Sequence, residues 1–176
     1  MALVKIKQGF TSWHVGVAAE AVAAAQFARL GLDVSVQYGA DQPEYDLIVS
    51  KGNLMMKVSV KGSKDGSWGL TQNFCKKANY HEAADKWFVK HGSKTIFCFV
   101  QFKDAPIDQL PRIYLATPDE VVKRLKETAK GRGDTILYED HTYTLKRAYG
   151  FGTTDRIPDE WKFTDELVTD LMNRVA

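Results

Sequence analysis

Residues 95–102, Thr-Ile-Phe-Cys-Phe-Val-Gln-Phe, form an almost continuously apolar run. A strand with one wet face alternates apolar and polar side chains, whereas a run without alternation is expected for a strand buried on both faces. Such a strand needs layers of cover above and below.

The flanking segments supply those layers. Residues 13–30 read as a helix capped by Thr11 or Ser12 and ended by Gly31. Its alanines (Ala18, Ala19, Ala21, Ala23, Ala24 and Ala25) let a neighbouring backbone approach closely. Residues 32–36 are a short strand candidate, and residues 38–44, with Gly39, Asp41 and Pro43, read as loop. Two apolar runs, 45–49 and 54–60, flank Ser50-Lys51-Gly52-Asn53 and predict a hairpin, followed by a polar loop over 62–69. Helical spacing recurs over 73–91 and stops at Gly92. After a strand at 112–116, Thr117-Pro118-Asp119-Glu120 combines a capping residue, proline at the first helical position and glutamate at the third, so a helix runs from there to about Gly131. Residues 136–145 are expected to form a second hairpin turning at 139–141, and residues 165–175 a terminal amphipathic helix. This order predicts an α/β fold with a mixed sheet. The 176 residues suit one domain, 1–176, with a core over about 13–125 and a C-terminal extension over about 131–176.

Composition excludes several classes. Hydrophobic residues make up 44% and charged residues 26%, the balance of an ordinary globular protein. No apolar run approaches the roughly 20 residues that span a bilayer. Residues 1–8 alternate Val4 and Ile6 with Lys5 and Lys7 and lack the apolar stretch of a signal peptide, so a cytoplasmic location is expected. Cys75 and Cys98 form neither a metal-type pair nor a disulfide framework, and Cys98, inside the apolar run, reads as a buried reduced thiol. His14, His81, His91 and His141 are scattered without ligand spacing, and His14 reads as a surface or capping residue. The net charge of +2 leaves any basic surface a local one.

Chemistry enters with Glu20. At 100° per residue it shares a helix face with Gly16, Ala23, Ala24 and Phe27, where burying a carboxylate is costly unless it is paired or holds a metal. A structural ion pair or simple rim exposure explains it equally well. In the second strand of the hairpin Leu54, Met56, Val58 and Val60 form an apolar face and Lys57, Ser59 and Lys61 a polar one. A turn centred near Gly52-Asn53 brings Asp46 opposite Ser59, with Lys61 one pleat further. Two carboxylates and a lysine on one surface suit phosphodiester hydrolysis, with Mg²⁺ held by few protein oxygens. A solvated strand face is the commoner explanation of the lysines alone.

The spacing Gly16-x-x-x-Glu20, Leu30-Gly31-x-x-Val34, Tyr45-Asp46-Leu47-Ile48-Val49 and Val58-Ser59-Val60-Lys61-Gly62-Ser63 resembles the PD-(D/E)XK nuclease superfamily. The similarity is greatest to the small single-domain branches near Holliday-junction resolvases and restriction-like endonucleases, and it covers roughly residues 13–125. The resemblance implies a restriction-endonuclease-like three-layer α/β core. It makes the chain a cytoplasmic, metal-dependent DNA endonuclease, acting on duplex or branched DNA with Mg²⁺ or Mn²⁺, and a candidate homodimer with 131–176 as spare surface. Glu20 and Asp46 would hold the metal with the Val60 carbonyl, and Lys61 would be the catalytic lysine. Ser59 departs from the pattern: the position two before the lysine is normally Glu, sometimes Gln or Asp. Either the missing acid comes from elsewhere (Glu44, Asp41 or Glu20 itself), or the domain is a degenerate module that binds nucleic acid or a protein without cleaving. Lys64, Trp68, Gln72, Lys76 and Lys77 are candidate nucleic-acid contacts, basic groups for phosphate and an aromatic for stacking. The second basic stretch, Lys123, Arg124, Lys126, Lys130 and Arg132, reads as a solvated helix face.

Overall fold

A computed structural model describes residues 9–37, 44–75, 79–91 and 95–175. Thr11 caps helix α1 (Ser12–Arg29): its hydroxyl accepts the His14 amide while the His14 ring accepts the Thr11 amide, a reciprocal capping box. His14 therefore has the capping role expected of it. Gly31 ends the helix at φ +73°, a conformation that suits a residue without Cβ. Strands β1 (Asp33–Val36), β2 (Leu47–Lys51) and β3 (Leu54–Ser63) follow, then the short β4 (Ser67–Gly69) and helix α2 (Tyr80–His91). Strands β5 (Thr95–Gln101) and β6 (Arg112–Ala116) lead into helix α3 (Pro118–Glu127), which carries the expected Thr117/Glu120 capping box. Short strands β7 (Ile136–Tyr138), β8 (Asp140–Thr142) and β9 (Thr154–Arg156) precede helix α4 (Asp165–Val175).

Five strands form the central sheet in the order β1-β2-β3-β5-β6, with β3 and β5 parallel and the other neighbours antiparallel. All of β5 is buried, as its composition requires. Ile96, Cys98 and Val100 face a core built from Ala19, Ala23 and Phe27 of α1 and Val168, Leu171 and Met172 of α4. Phe97 and Phe99 face the opposite core, with Ala84 and Trp87 of α2 and Val121, Val122 and Leu125 of α3. The alternation of one strand thus divides two hydrophobic layers, giving the mixed α/β sheet that the element order predicts and the three-layer core that the resemblance implies. Cys98 is a free, buried thiol.

Three expectations need correction. Residues 72–74 make a single 3-10 turn, and the regular helix begins at Tyr80 rather than at 73. The loop predicted over 62–69 is partly strand: Gly62 and Ser63 continue β3 beside β5, and β4 pairs with β7. Residues 136–145 do not close a hairpin; β7 bonds to β4 and β8 to β9, because distant partners satisfy the backbone groups that a local turn would have paired. The loop predicted over 38–44 lies, except for Glu44, outside the described residues, as do residues 1–8 and Gly92. Among the described residues no helix is long and apolar enough to cross a membrane.

The contact that positions the site is the crossing of α1 over β3. A Cβ built on Gly62 would lie 2.8 Å from Val15 Cγ1 and the Val15 carbonyl oxygen and 2.9 Å from Ala19 Cβ. Helix and strand touch through glycine and alanine, with no room for a side chain. Gly62→Ala is accordingly expected to push α1 away, costing about 1–3 kcal/mol as for other overpacked sites. A melting temperature lowered by about 2–4 °C for each kcal/mol, measured by thermal denaturation, checks this; an unchanged midpoint would contradict the packing.

Candidate active site

Asp46 stands just before β2, where the ladder to β3 runs out. Leu47 pairs with Val58, so the next step brings Asp46 opposite Ser59, the register expected from the turn. Its amide donates to the Val58 carbonyl at 2.9 Å, and its carbonyl accepts the Gln37 amide at 2.9 Å. Beyond that rung its side chain takes over: Oδ2 accepts the Val60 amide at 2.5 Å and the Ser59 hydroxyl at 3.4 Å. Within a strand the N–H and C=O of one residue point to the same side. The Val60 carbonyl therefore faces the same gap as the Asp46 carboxylate.

Glu20 stands on α1, one residue past the Ala19–Gly62 contact. It is half-buried and, among the described residues, its carboxylate has no hydrogen bond or ion pair. Desolvation holds its pKa above the ordinary carboxylate value; the Asp46 charge adds to the rise and Lys61 opposes it. Glu20 thus lies within the fields of both Asp46 and Lys61, although the three come from a helix and two separate strand segments. Lys61 is half-buried, and its carbonyl accepts the indole N–H of Trp68 at 2.8 Å. Beside them, the Lys57 ammonium lies over the Tyr45 ring, 5.1 Å from its centre.

Carboxylate and carbonyl oxygens are the donors that suit a hard divalent cation. Among the described residues no three His, Cys, Asp or Glu side chains group as a metal site, and none of them supplies the acid that position 59 lacks. Ser59 is buried, 2% exposed, and its hydroxyl is spent on Asp46. Glu44 turns instead to the end of α2, 3.6 Å from Lys90 Nζ and 3.7 Å from His91 Nδ1. Asp41 lies outside the described residues.

His91 is the neighbour that sequence reading missed. Its ring packs 4.6 Å from Trp87 and 5.2 Å from Phe97, and burial lowers its pKa; Glu44 pulls the other way, while Lys90 and Lys61 add to the lowering. A neutral imidazole thus stands close enough to Lys61 to feel its charge. The spacing of Trp87 and His91 by one helical turn was the available signal, but nothing local tied that helix face to residue 61.

The proposed nucleic-acid contacts fare unevenly. Trp68 is only 3% exposed and packs edge-on against Phe99 and Tyr114, so it belongs to the core and no base can stack on it. Lys64 is exposed and donates to the Phe10 carbonyl, at the rim of a cleft lined by Ser12, Val15, Gly16, Gly62 and Ser63. Gln72 is exposed with its side chain folded over Gly69. Lys76 and Lys77 lie outside the described residues. In the second basic stretch Arg124 is no solvated residue: it is mostly buried and bonds Asp155 at 2.8 Å, because α3 packs against β9 there.

No family profile matches the sequence, and no curated protein is significantly similar to it. In structure the chain is similar to a bacterial homing endonuclease, I-Ssp6803I, at 14% identity and TM-score 0.49, over 93% of this chain and 95% of that one. It is also similar to the Holliday junction resolvase Hjc of Archaeoglobus fulgidus, at 14% identity and TM-score 0.39, over 70% of this chain and 88% of that one.

Because the Glu20 pKa is raised, the folded state holds that proton more tightly than the unfolded chain does. The contribution of Glu20 to stability is therefore greatest below the ordinary carboxylate value of 4.5 and falls as pH rises through the folded value. Glu20→Gln is expected to melt about 1–3 °C above the parent at pH 8 without added metal, a small effect because the group is only half-buried. At pH 4 the two should coincide. Parallel thermal melts across that range check the prediction, and a lower midpoint at pH 8 would contradict it.

Proposed function

We propose that this chain is a metal-dependent endonuclease that hydrolyses DNA phosphodiester bonds with an activated water. The observation that carries the reading is the half-buried, unpaired carboxylate of Glu20, placed in the fields of Asp46 and Lys61. A carboxylate kept there against desolvation and like charge destabilises the fold, which is understandable if it serves chemistry.

Glu20, Asp46 and the Val60 carbonyl would hold Mg²⁺ or Mn²⁺. Bound there, the ion supplies Lewis acidity toward the phosphate and lowers the pKa of a coordinated water. The remaining work belongs to the chain. The Val60 amide and the Ser59 hydroxyl fix the Asp46 carboxylate, leaving Oδ1 free of hydrogen bonds among the described residues. The Lys61 ammonium, whose backbone is anchored by Trp68, neutralises charge that builds on the phosphoryl oxygens. The motif order from Glu20 through Lys61 supports the same assignment. We further propose that the protein acts in the cytoplasm, as one domain, and pairs with a second copy to cut both strands.

A second reading rests on Ser59. With a neutral hydroxyl where the motif usually has an acid, a module of this fold would bind DNA or a protein and leave the phosphodiester intact.

Cleavage of plasmid, linear and branched DNA with Mg²⁺ and with Mn²⁺ separates the two. On the first reading Lys61→Ala lowers the cleavage rate by about 100- to 1,000-fold, the scale of losing one preorganised charge-stabilising group, and leaves the melting temperature nearly unchanged. Intact DNA under every condition would sink it. On the second reading metal titration calorimetry of the parent gives no heat, whereas Ser59→Glu, which restores the usual acid, gains a saturable signal.

A further inference from the structure

Between β8 and β9 the chain makes a loop, residues 143–153, that carries Lys146 and Arg147 and no acidic residue. Three large apolar side chains are exposed on it: Leu145 at 62%, Tyr149 at 58% and Phe151 at 43%. Such groups are normally buried, and so dense a cluster of exposed ones marks a contact surface.

The loop is a built platform. Tyr143 at its base is buried and packs edge-on against His141, which stacks on Tyr138 at 4.4 Å. The Tyr143 amide donates to Thr153 and the Gly152 amide back to Tyr143, closing the ring of residues. Inner turns run from the Ala148 amide to Leu145 and from the Phe151 amide to Ala148. Gly150, at φ +88°, lies so close to Ala129 that an added Cβ would sit 3.1 Å from its Cα. The Arg132 guanidinium lies over the Tyr149 ring at 5.7 Å, on the side where it also meets Tyr80. Lys130 donates to the Phe151 carbonyl at 3.2 Å. The side chains of Lys146 and Arg147 have no hydrogen bond or ion pair among the described residues.

We infer that this loop binds DNA through unpaired nucleotides, with Lys146 and Arg147 on phosphates and Tyr149 and Phe151 against bases. Two cations without a partner among the described residues complement a polyanion, and the exposed rings of Phe151 and of Tyr149, on its side away from Arg132, offer faces on which bases stack. In a duplex those base faces are occupied by neighbouring base pairs, so strand ends, gaps or branches are the favoured form. The inference deepens the reading of the chain as a DNA enzyme and rests on it for the choice of polyanion.

The test is fluorescence anisotropy with a labelled oligo-dT 20-mer and with a blunt duplex of the same length, in EDTA so that no strand is cut. The parent should bind the single strand more tightly. Lys146→Ala with Arg147→Ala should weaken that binding at least 10-fold at 50 mM salt and reduce the slope of log affinity against log salt by about 1.4. Tyr149→Ala should weaken single-strand binding at least 5-fold and duplex binding less; both variants should melt like the parent. Unchanged single-strand affinity in both would overturn the inference and leave the endonuclease reading standing. Single-strand binding that depends on the loop, in a protein that cuts no DNA with either metal, would do the reverse. Binding of the loop to vesicles containing 30% phosphatidylserine, in place of DNA, would also overturn it by assigning the surface to membranes.

Discussion

Helix α1 lies directly on the backbone of β3 because Gly62 presents no side chain to Val15 and Ala19. Most of what is distinctive here follows from that contact. Elsewhere helix and sheet are separated by interleaved side chains; here the spacing collapses, and the residue after Ala19 is brought to the mouth of the hairpin. Glu20 is thus held in the field of Asp46 by packing rather than by any bond of its own. The alanine-rich sequence of α1 makes the approach feasible, and the apolar cores on both sides of β5 keep it in place.

A second device completes the site. Where β2 stops pairing, the Asp46 carboxylate takes the next hydrogen bond of β3 from the Val60 amide. One side chain thereby caps the ladder and opens a gap lined by backbone and carboxylate oxygen. The same arrangement accounts for Ser59, whose hydroxyl supports Asp46 from a buried position. An acid at 59 would add negative charge beside Asp46, whose field already acts on Glu20, so the serine lowers repulsion. Lys61 tempers what repulsion remains.

Beyond this centre the molecule divides its aromatic residues by use. Trp68, read from the sequence as a base-stacking group because it follows Lys64 in a polar stretch, is instead swallowed by the core, its indole holding the Lys61 carbonyl. Tyr149 and Phe151 remain outside. The difference lies in strand pairing: β4 docks onto β7 and carries Trp68 inward, whereas the loop after β8 is braced outward by its own hydrogen bonds and by residue 129.

Local patterns were enough to determine the buried strand β5, the capping box at Thr117, Gly31 as the end of α1, and the hairpin register that sets Asp46 opposite Ser59, while leaving the cap of α1 open between Thr11 and Ser12. Each depends on neighbours a few residues apart, through periodicity, a cap or a turn, and such signals are written in the chain directly. Tertiary structure alone decided that β7 and β8 part company, that Trp68 is core, that Glu44 turns to Lys90 and His91, and that Arg124 is mostly buried against Asp155. Those outcomes depend on partners tens of residues away, whose identity is fixed only once two layers have closed on the sheet and buried polar groups compete for the partners within reach.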